Sequence, residues 1–370
     1  MSDPRQYWVG INLVKGIGAA RLRVLLDHFG SIEAIWQASA QALYATGLSA
    51  RLVESLLDIR ARVSLEQVWN RIQSLGIQVL TWESEDYPRR LREIDQPPPV
   101  LYVLGNLLPQ DEFAVAIVGT RRITAYGRQV AENTASFLAR NGLTVISGLA
   151  RGVDSVAHKA ALDAGGRTLA VLGNGVDRIY PPEHRKLAEM IIQNGALISD
   201  YPLGTPPDSL NFPPRNRIIS GLAQGVVIVE AGERSGALIT ASFAADQGRE
   251  VFSVPGNINA PQSVGTNRLI QQGAHPLVDP HEILEVLNLT QVSAYQAARV
   301  ALPADAAEAR VLGVVTQEPL HIDEICNQTG MPIDAITATL TMLELKGMVR
   351  QVGGMHYVSV SEMRADYEAQ

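Results

Sequence analysis

At 370 residues the chain is long enough for two or three domains, and its 46% hydrophobic content supports a full core, which excludes a disordered polymer. A net charge of −7 and a sequence pI of about 5.6 argue against coating of duplex DNA by bulk charge, but leave room for a local basic groove. The single cysteine, Cys326, excludes an intramolecular disulfide framework and a cysteine-based metal cluster.

The opening Met1-Ser2-Asp3-Pro4-Arg5 lacks a basic-then-apolar signal pattern, and no apolar run approaches the length of a membrane span, so a cytoplasmic location is expected. From about Tyr7 to Leu75 the periodicity predicts a helical domain, residues 1–75. Leu22, Leu25 and Leu26 share one helix face, and Val53, Leu56 and Leu57 another. Val14-Lys15-Gly16-Ile17-Gly18-Ala19-Ala20-Arg21 resembles the hairpin of a helix-hairpin-helix motif, in which backbone N–H groups approach a DNA phosphate. A plain packing module with a short Gly turn fits the same residues.

The next region, residues 76–290, alternates short β-rich runs with helical stretches. Strands are expected over 114–118, 144–147, 168–172, 196–199, 226–230 and 251–254, with helices over 128–140, 153–164, 184–193 and 238–247. Such alternation implies βαβ units, a buried parallel sheet and helices on both faces. Residues 79–82 and 101–104 read as edge strands, with Pro97-Pro98-Pro99 turning the chain between them. The fold class is therefore α/β, with an extended Rossmann-like, doubly wound and mainly parallel sheet. Ligands in such sheets sit at the carboxyl ends of the strands.

An Ala-rich linker over 291–304 leads to a tail, 305–370, that reads as a winged helix. A helix over 309–316 precedes a helix-turn-helix pattern over 322–329 and 333–346, with Gly330-Met331-Pro332 as the turn, and a hairpin over 348–358 follows. The second helix of that pattern carries no arginine, one terminal lysine and two acids, so the tail is weighted toward protein contact or regulation rather than phosphate-hugging DNA readout.

The loops at the carboxyl edge of the expected sheet hold the candidate site. After the first central strand come Gly119, Thr120, Arg121, Arg122 and Thr124, a tight turn with hydroxyls, charge and a helix start. The second and third glycines of the dinucleotide fingerprint are missing, and no G-x-x-x-x-G-K-[ST] occurs, so NAD and P-loop ATP readings lose most of their weight. Gly148, Arg151 and Gly152 repeat the arrangement after the next strand. Asp154 there can cap a helix or orient an arginine, and with His158 four residues on could form an acid/base couple or a structural hydrogen bond. Gly173 and Gly175 follow the third strand; Ser235, Gly236 and Thr240 follow the fifth, after Glu230 and Arg234. Between them, Leu210 to Gly221 brings Asn211, Phe212, Arg215, Asn216 and Arg217 to a helix start. Guanidinium forks bind phosphate and an aromatic ring gives a base a face to stack on, so the run suits a nucleotide or a nucleic-acid strand. A helix N-terminus with solvated arginines is the competing reading.

These segments in combination resemble a known family. Gly119-Thr120-Arg121-Arg122-x-Thr124, Ser147-Gly148-x-Ala150-x-Gly152-x-Asp154-x-x-Ala157-His158, Phe212-Pro213-x-Arg215-Asn216-Arg217-Ile218-Ile219 and Ser235-Gly236-x-Leu238-x-Thr240 are similar to hallmark segments of the DNA-processing protein A (DprA, also called Smf) family. Asp86-Tyr87-Pro88, Pro98 to Tyr102 and Val254-Pro255-Gly256 match as well, so the resemblance covers essentially the whole chain. The family often has serine where this chain has Thr120, which keeps the hydroxyl. The resemblance implies a small helical domain before the Rossmann-like domain and a winged-helix tail. It implies binding and protection of single-stranded DNA in natural transformation, and help in loading the RecA recombinase, with single-strand-binding protein as a further partner. A homodimer, no cofactor, no metal, no membrane and no catalytic activity are expected. The expected DNA-binding residues are those named in the loops above, from Gly119 to Thr240. Two rivals remain. One is a Rossmann-type enzyme cleaving base from ribose phosphate, loosely suggested by Glu230, Gly232, Ser235, Gly236 and Thr240 but lacking the Pro-Gly-Gly-x-Gly-Thr-x-x-Glu turn. The other is a duplex-DNA regulator built from the helix-hairpin-helix and the winged helix.

Overall fold

The computed structural model describes residues 3–289, 306–316, 318–345 and 348–359. The chain divides into two compact units between residues 290 and 291. The expected linker over 291–304 and Lys346 lie outside the described residues.

The first unit begins with helices α1 (Arg5–Asn12), α2 (Ala19–Phe29), α3 (Ile32–Gln37), α4 (Ala40–Ala45), α5 (Ala50–Arg62) and α6 (Leu65–Ser74). Serine caps set the starts of α3, α4 and α6: Ser31, Ser39 and Ser64 each accept from a backbone N–H three residues on. Leu22, Leu25, Val53 and Leu56 are buried as their spacing requires, while Leu26 and Leu57 are half-buried. In the hairpin-like segment, Val14 and Ile17 enter the core and Arg21 donates to the Gly16 carbonyl at 2.7 Å.

The sheet follows with β1 (Ile77–Thr81), a one-turn helix α7 (Arg89–Arg92), β2 (Val100–Gly105), β3 (Ala114–Val118), α8 (Ala125–Arg140), β4 (Thr144–Ser147), α9 (Val153–Asp163), β5 (Thr168–Val171), α10 (Arg185–Gln193), β6 (Gly195–Ser199), α11 (Phe212–Leu222), β7 (Gly225–Ile228), α12 (Gly236–Asp246), β8 (Glu250–Ser253), α13 (Val264–Gln271), β9 (His275–Pro276) and α14 (His281–Val286). Among the described residues it has nine strands in the order β1-β2-β6-β5-β4-β3-β7-β8-β9. Pairings from β6 through to β9 are parallel, and β1–β2 and β2–β6 are antiparallel.

Alternation along the strands divides the interior in two. Tyr102, Ala170 and Leu197 face a core shared with the N-terminal helices, including Trp8, Leu25 and Leu56. Leu101, Val103, Leu169 and Ile198 face the other core, with Ile218 and Ile219 of α11. The N-terminal helices thus pack on one face of the sheet, and burial of each large side chain there contributes roughly 1.5–3 kcal/mol. From β3 the chain steps one way to β4, β5 and β6, then returns to β7 on the other side. That reversal opens a crevice at the carboxyl ends of β3 and β7, the usual ligand position in such sheets. Sequence periodicity did not show β9, α13 or α14, which are short or edge elements.

The second unit contains α15 (Ala306–Val314), β10 (Leu320–His321), α16 (Ile322–Thr329), α17 (Ile333–Leu345), β11 (Val349–Gly353) and β12 (His356–Ser359). The strands form a small sheet, β10-β12-β11, around a core that includes Val311, Ile325, Ile336, Leu340 and Tyr357. This is a winged helix with one strand, β10, beyond the expected hairpin. Gly330 makes the inter-helix turn at φ +68°. The exposed face of α17 carries Asp334, Thr337, Ala338, Thr341, Met342 and Glu344 and no cation among the described residues. Thr337, Thr339 and Thr341 turn their hydroxyls back onto their own helix carbonyls.

Candidate nucleic-acid interface

The crevice between β3 and β7 is an open cavity of about 630 Å³. It is walled by the loop after β3, the first turn of α11 and the loop from β7 into α12, with Ala150 and Asp154 after β4, Tyr180 after β5, and Pro207 and Ser209 after β6 completing the rim.

The loop after β3 is braced from β7. Thr120 N–H donates to the Glu230 carbonyl at 2.8 Å. The Glu230 carboxylate accepts from the Thr124 N–H at 3.0 Å and from its hydroxyl at 2.5 Å, and Thr124 in turn caps α8 by accepting from Gly127 N–H. Both oxygens of Glu230 are thereby engaged, and Glu230 does not line the cavity. Gly152 fits beneath this loop only without a side chain: it sits at φ +79°, and a Cβ there would meet the Thr120 carbonyl at 2.2 Å. With the loop so held, Arg121 projects over the cavity. Its guanidinium carbon lies 5.4 Å from the centre of the Phe212 ring. Arg234, from the opposite wall, also lines the cavity and is exposed. Neither arginine pairs with a carboxylate among the described residues.

Helix α11 begins with Phe212-Pro213-Pro214. Prolines suit this first turn because its N–H groups have no intrahelical partner. The two arginines that follow are two residues apart, about 200° around the helix, and they part company. Arg215 is buried at 4% exposure beneath the cavity. Its Nη1 donates to the Gly148 carbonyl at 3.0 Å and also to the Val171 carbonyl. The buried Asp154 carboxylate accepts from the N–H groups of Gly148 and Ala150. Arg215 thus ties together the ends of β4 and β5. Burial pushes its guanidinium down to about 10, partly offset by the charge of Asp154, so it stays protonated at neutral pH. Arg217 points elsewhere. It binds Asp200 at 2.7 Å and the Gln96 carbonyl at 2.6 Å, beside a neighbouring depression. Burial raises the Asp200 carboxyl, and Arg217 opposes that shift. Both guanidiniums are committed to protein acceptors, because α11 is packed against the sheet, so the competing reading of solvated arginines at a helix start does not describe them.

Of the other expected residues, Gly119, Thr120, Phe212, Asn216, Ser235, Gly236 and Thr240 line the cavity with Arg121 and Arg215. Asn216 donates to the Gly236 carbonyl at 3.3 Å, and Ser235 caps α12 by accepting from Ala237 N–H. Arg122, Thr124, Gly148, Arg151, Gly152, Gly173, Gly175, Asn211 and Arg217 do not line it. Arg151 pairs with Glu183 at 2.5 Å on the surface. Gly175 is tied into its own turn: its N–H donates to the Thr205 carbonyl and its carbonyl accepts from the Arg178 N–H. Gly173 acts through Phe212: a Cβ there would come 2.7 Å from Cδ1 of the ring. Asn211 is the residue before α11, and its carbonyl accepts from the Tyr201 hydroxyl.

The Asp154–His158 pairing does not form. His158 Nδ1 lies 2.6 Å from the Thr168 hydroxyl, which itself donates to the Val145 carbonyl, so Nδ1 is the donor. Burial pushes the ring down to about 3, and it is neutral. Among the cavity residues outside the expected set, Arg234 brings charge and Tyr180 a ring. Both stand in segments singled out for their glycines, and only the folded geometry places their side chains on the cavity. Among the described residues no cluster of His, Cys, Asp or Glu is arranged to hold a metal ion, and no helix is long and apolar enough to cross a membrane.

Comparison with known proteins agrees with this architecture. Residues 78–288 match the family described as DNA recombination-mediator protein A, and residues 296–355 match the DprA winged helix domain. A relative from Synechocystis sp., Protein Smf, is 35% identical over 96% of this chain and 99% of its own length. The X-ray structure of DNA processing protein A from Streptococcus pneumoniae aligns with a TM-score of 0.66 at 32% identity, covering 76% of this chain and 97% of that one. A structure of DNA processing protein A from Helicobacter pylori, described for its single-stranded DNA binding mode, aligns with a TM-score of 0.52 at 32% identity, covering 58% and 96%.

Proposed function

We propose, from the fact that the chain belongs to the DNA recombination-mediator protein A family, that it binds single-stranded DNA in the crevice between β3 and β7. The observation that carries the reading is the convergence of unpaired guanidiniums, aromatic rings and a helix N-terminus on one cavity. Arg121 and Arg234 supply charge for phosphates, the start of α12 at Ser235-Gly236 supplies backbone N–H groups, and the stacked pair of Phe212 and Tyr180 supplies an aromatic platform for bases. The Helicobacter pylori relative, described as binding single-stranded DNA, supports the same assignment. Arg215, Glu230, Gly148, Gly152 and Gly173 hold this surface in shape, and no chemical step is assigned to it.

In this reading the protein protects incoming strands in transformation and recombination, helps load RecA, works alongside single-strand-binding protein and acts as a cytoplasmic homodimer. Residues 76–290 form the DNA-binding domain, with the helical residues 1–75 and the winged helix over 305–370 as flanking contact modules. The test is a binding titration against single-stranded and duplex oligonucleotides of equal length at several salt concentrations. Preference for the single strand supports the reading. Preference for the duplex favours a regulator, and release of free base from nucleoside monophosphates favours an enzyme.

A further inference from the structure

We propose, resting on the single-strand reading above, that Tyr180 is the ring on which an incoming base stacks, and that Phe212 is its backing. Phe212 is the more enclosed of the two. Tyr180 lies against it with ring centres 5.9 Å apart and planes 23° from parallel. The guanidinium carbons of Arg121 and Arg215 stand over the same ring at 5.4 and 6.0 Å. Gly173 lies so close to its edge that a Cβ there would come 2.7 Å from Cδ1, which leaves little room on that side. Half-buried and contacted on several sides, Phe212 has little open face to offer.

Tyr180 is 38% exposed on the wall of the same cavity. Its hydroxyl makes no hydrogen bond among the described residues, so its position comes from ring contact. Near-parallel, offset rings are a favoured aromatic arrangement, and a base laid on the outer face of Tyr180 extends that stack by one layer. Cations stand nearby along the chain. Arg178, two residues earlier, is exposed and unpaired among the described residues, and Arg151 reaches Glu183, three residues later. A strand stacked on Tyr180 therefore has unpaired charge on both sides: Arg121 and Arg234 in the cavity and Arg178 outside it. Stacking selects bases that are unpaired, since a duplex base has both faces covered.

The experiment compares the full chain with Tyr180→Phe and Tyr180→Ala. Each is titrated with an oligothymidine strand and with an abasic strand of the same length at one salt concentration. Tyr180→Ala is expected to weaken oligothymidine binding roughly 5- to 150-fold, the range of one base–ring stack. Tyr180→Phe keeps the π face and should match the unsubstituted chain, and on the abasic strand all three should bind alike. Equal losses by Tyr180→Ala on both strands would mark a structural residue and overturn the proposal, as would oligothymidine binding by Tyr180→Ala equal to that of the unsubstituted chain. Failure of the unsubstituted chain to bind oligothymidine would overturn the single-strand reading and the stacking proposal with it.

Discussion

Arg215 Nη1 donates to the backbone carbonyl of Gly148 across 3.0 Å, and this one bond joins helix α11 to the end of strand β4. It makes the most conspicuous arginine of the site a brace. A phosphate contact and a brace respond oppositely to substitution.

Arg215→Ala should therefore lower stability by roughly 3 kcal/mol or more, because it strands the buried Asp154 carboxylate without its neighbouring positive charge. Arg215→Lys should recover only part of this, since an ammonium lacks the planar fork. Denaturant melts read the effect. A variant as stable as the unsubstituted chain would contradict the bracing role.

Phe212→Ala should weaken single-strand binding by roughly 1–3 kcal/mol while leaving any duplex binding almost unchanged. Because the ring is only half-buried, the stability cost should fall below the roughly 3–5 kcal/mol of a fully buried Phe→Ala change. Fluorescence anisotropy with labelled strands, paired with thermal melting, separates the two effects. A large drop in melting temperature with normal binding by the folded fraction would place Phe212 in the core alone.

His158 predicts an acid-sensitive fold. Burial depresses its folded pKa to about 3 from an ordinary 6.5, so the unfolded chain takes up a proton that the native state refuses. The stability this residue contributes is complete above about pH 6.5 and is lost progressively as pH falls toward 3, with a slope approaching 1.4 kcal/mol per pH unit. His158→Asn, which retains a donor toward Thr168, should flatten the stability profile between pH 6.5 and 4. Parallel profiles for the two proteins would show that His158 does not couple to pH.

Removal of residues 305–370 should leave single-strand affinity largely intact. The exposed face of α17 offers hydroxyls, a methionine and two acids but no cation among the described residues. Electrophoretic mobility shifts with the truncated chain check this, and loss of most affinity by a folded truncation would contradict it.

The fold was legible wherever burial leaves a strict period or an unbroken apolar run. The central strands are apolar on both faces, so β3, β4 and β5 stand out as short runs of Val, Ile, Leu and Ala, and helix α16 coincides with its predicted limits. The two-residue strands β9 and β10 have no period to detect. The site was legible as a set of turns, because glycine and helix-capping chemistry mark the carboxyl edge in sequence. The division of labour inside it was not. Whether Arg215 or Arg217 faces solvent depends on how α11 rolls against the sheet, and the partnering of His158 depends on β5 lying beside α9. Arg234 and Tyr180 carry no local mark of exposure at all.

The most direct measurement is the salt dependence of single-strand affinity for the unsubstituted chain and for Arg121→Ala with Arg234→Ala combined. Each phosphate contact contributes about −0.7 to the slope of log affinity against log salt on a single strand. The crevice account predicts that the double substitution weakens binding and flattens the slope by about 1.4, with melting temperature unchanged. An unaltered slope and affinity in the folded double variant would place the strand elsewhere on the molecule.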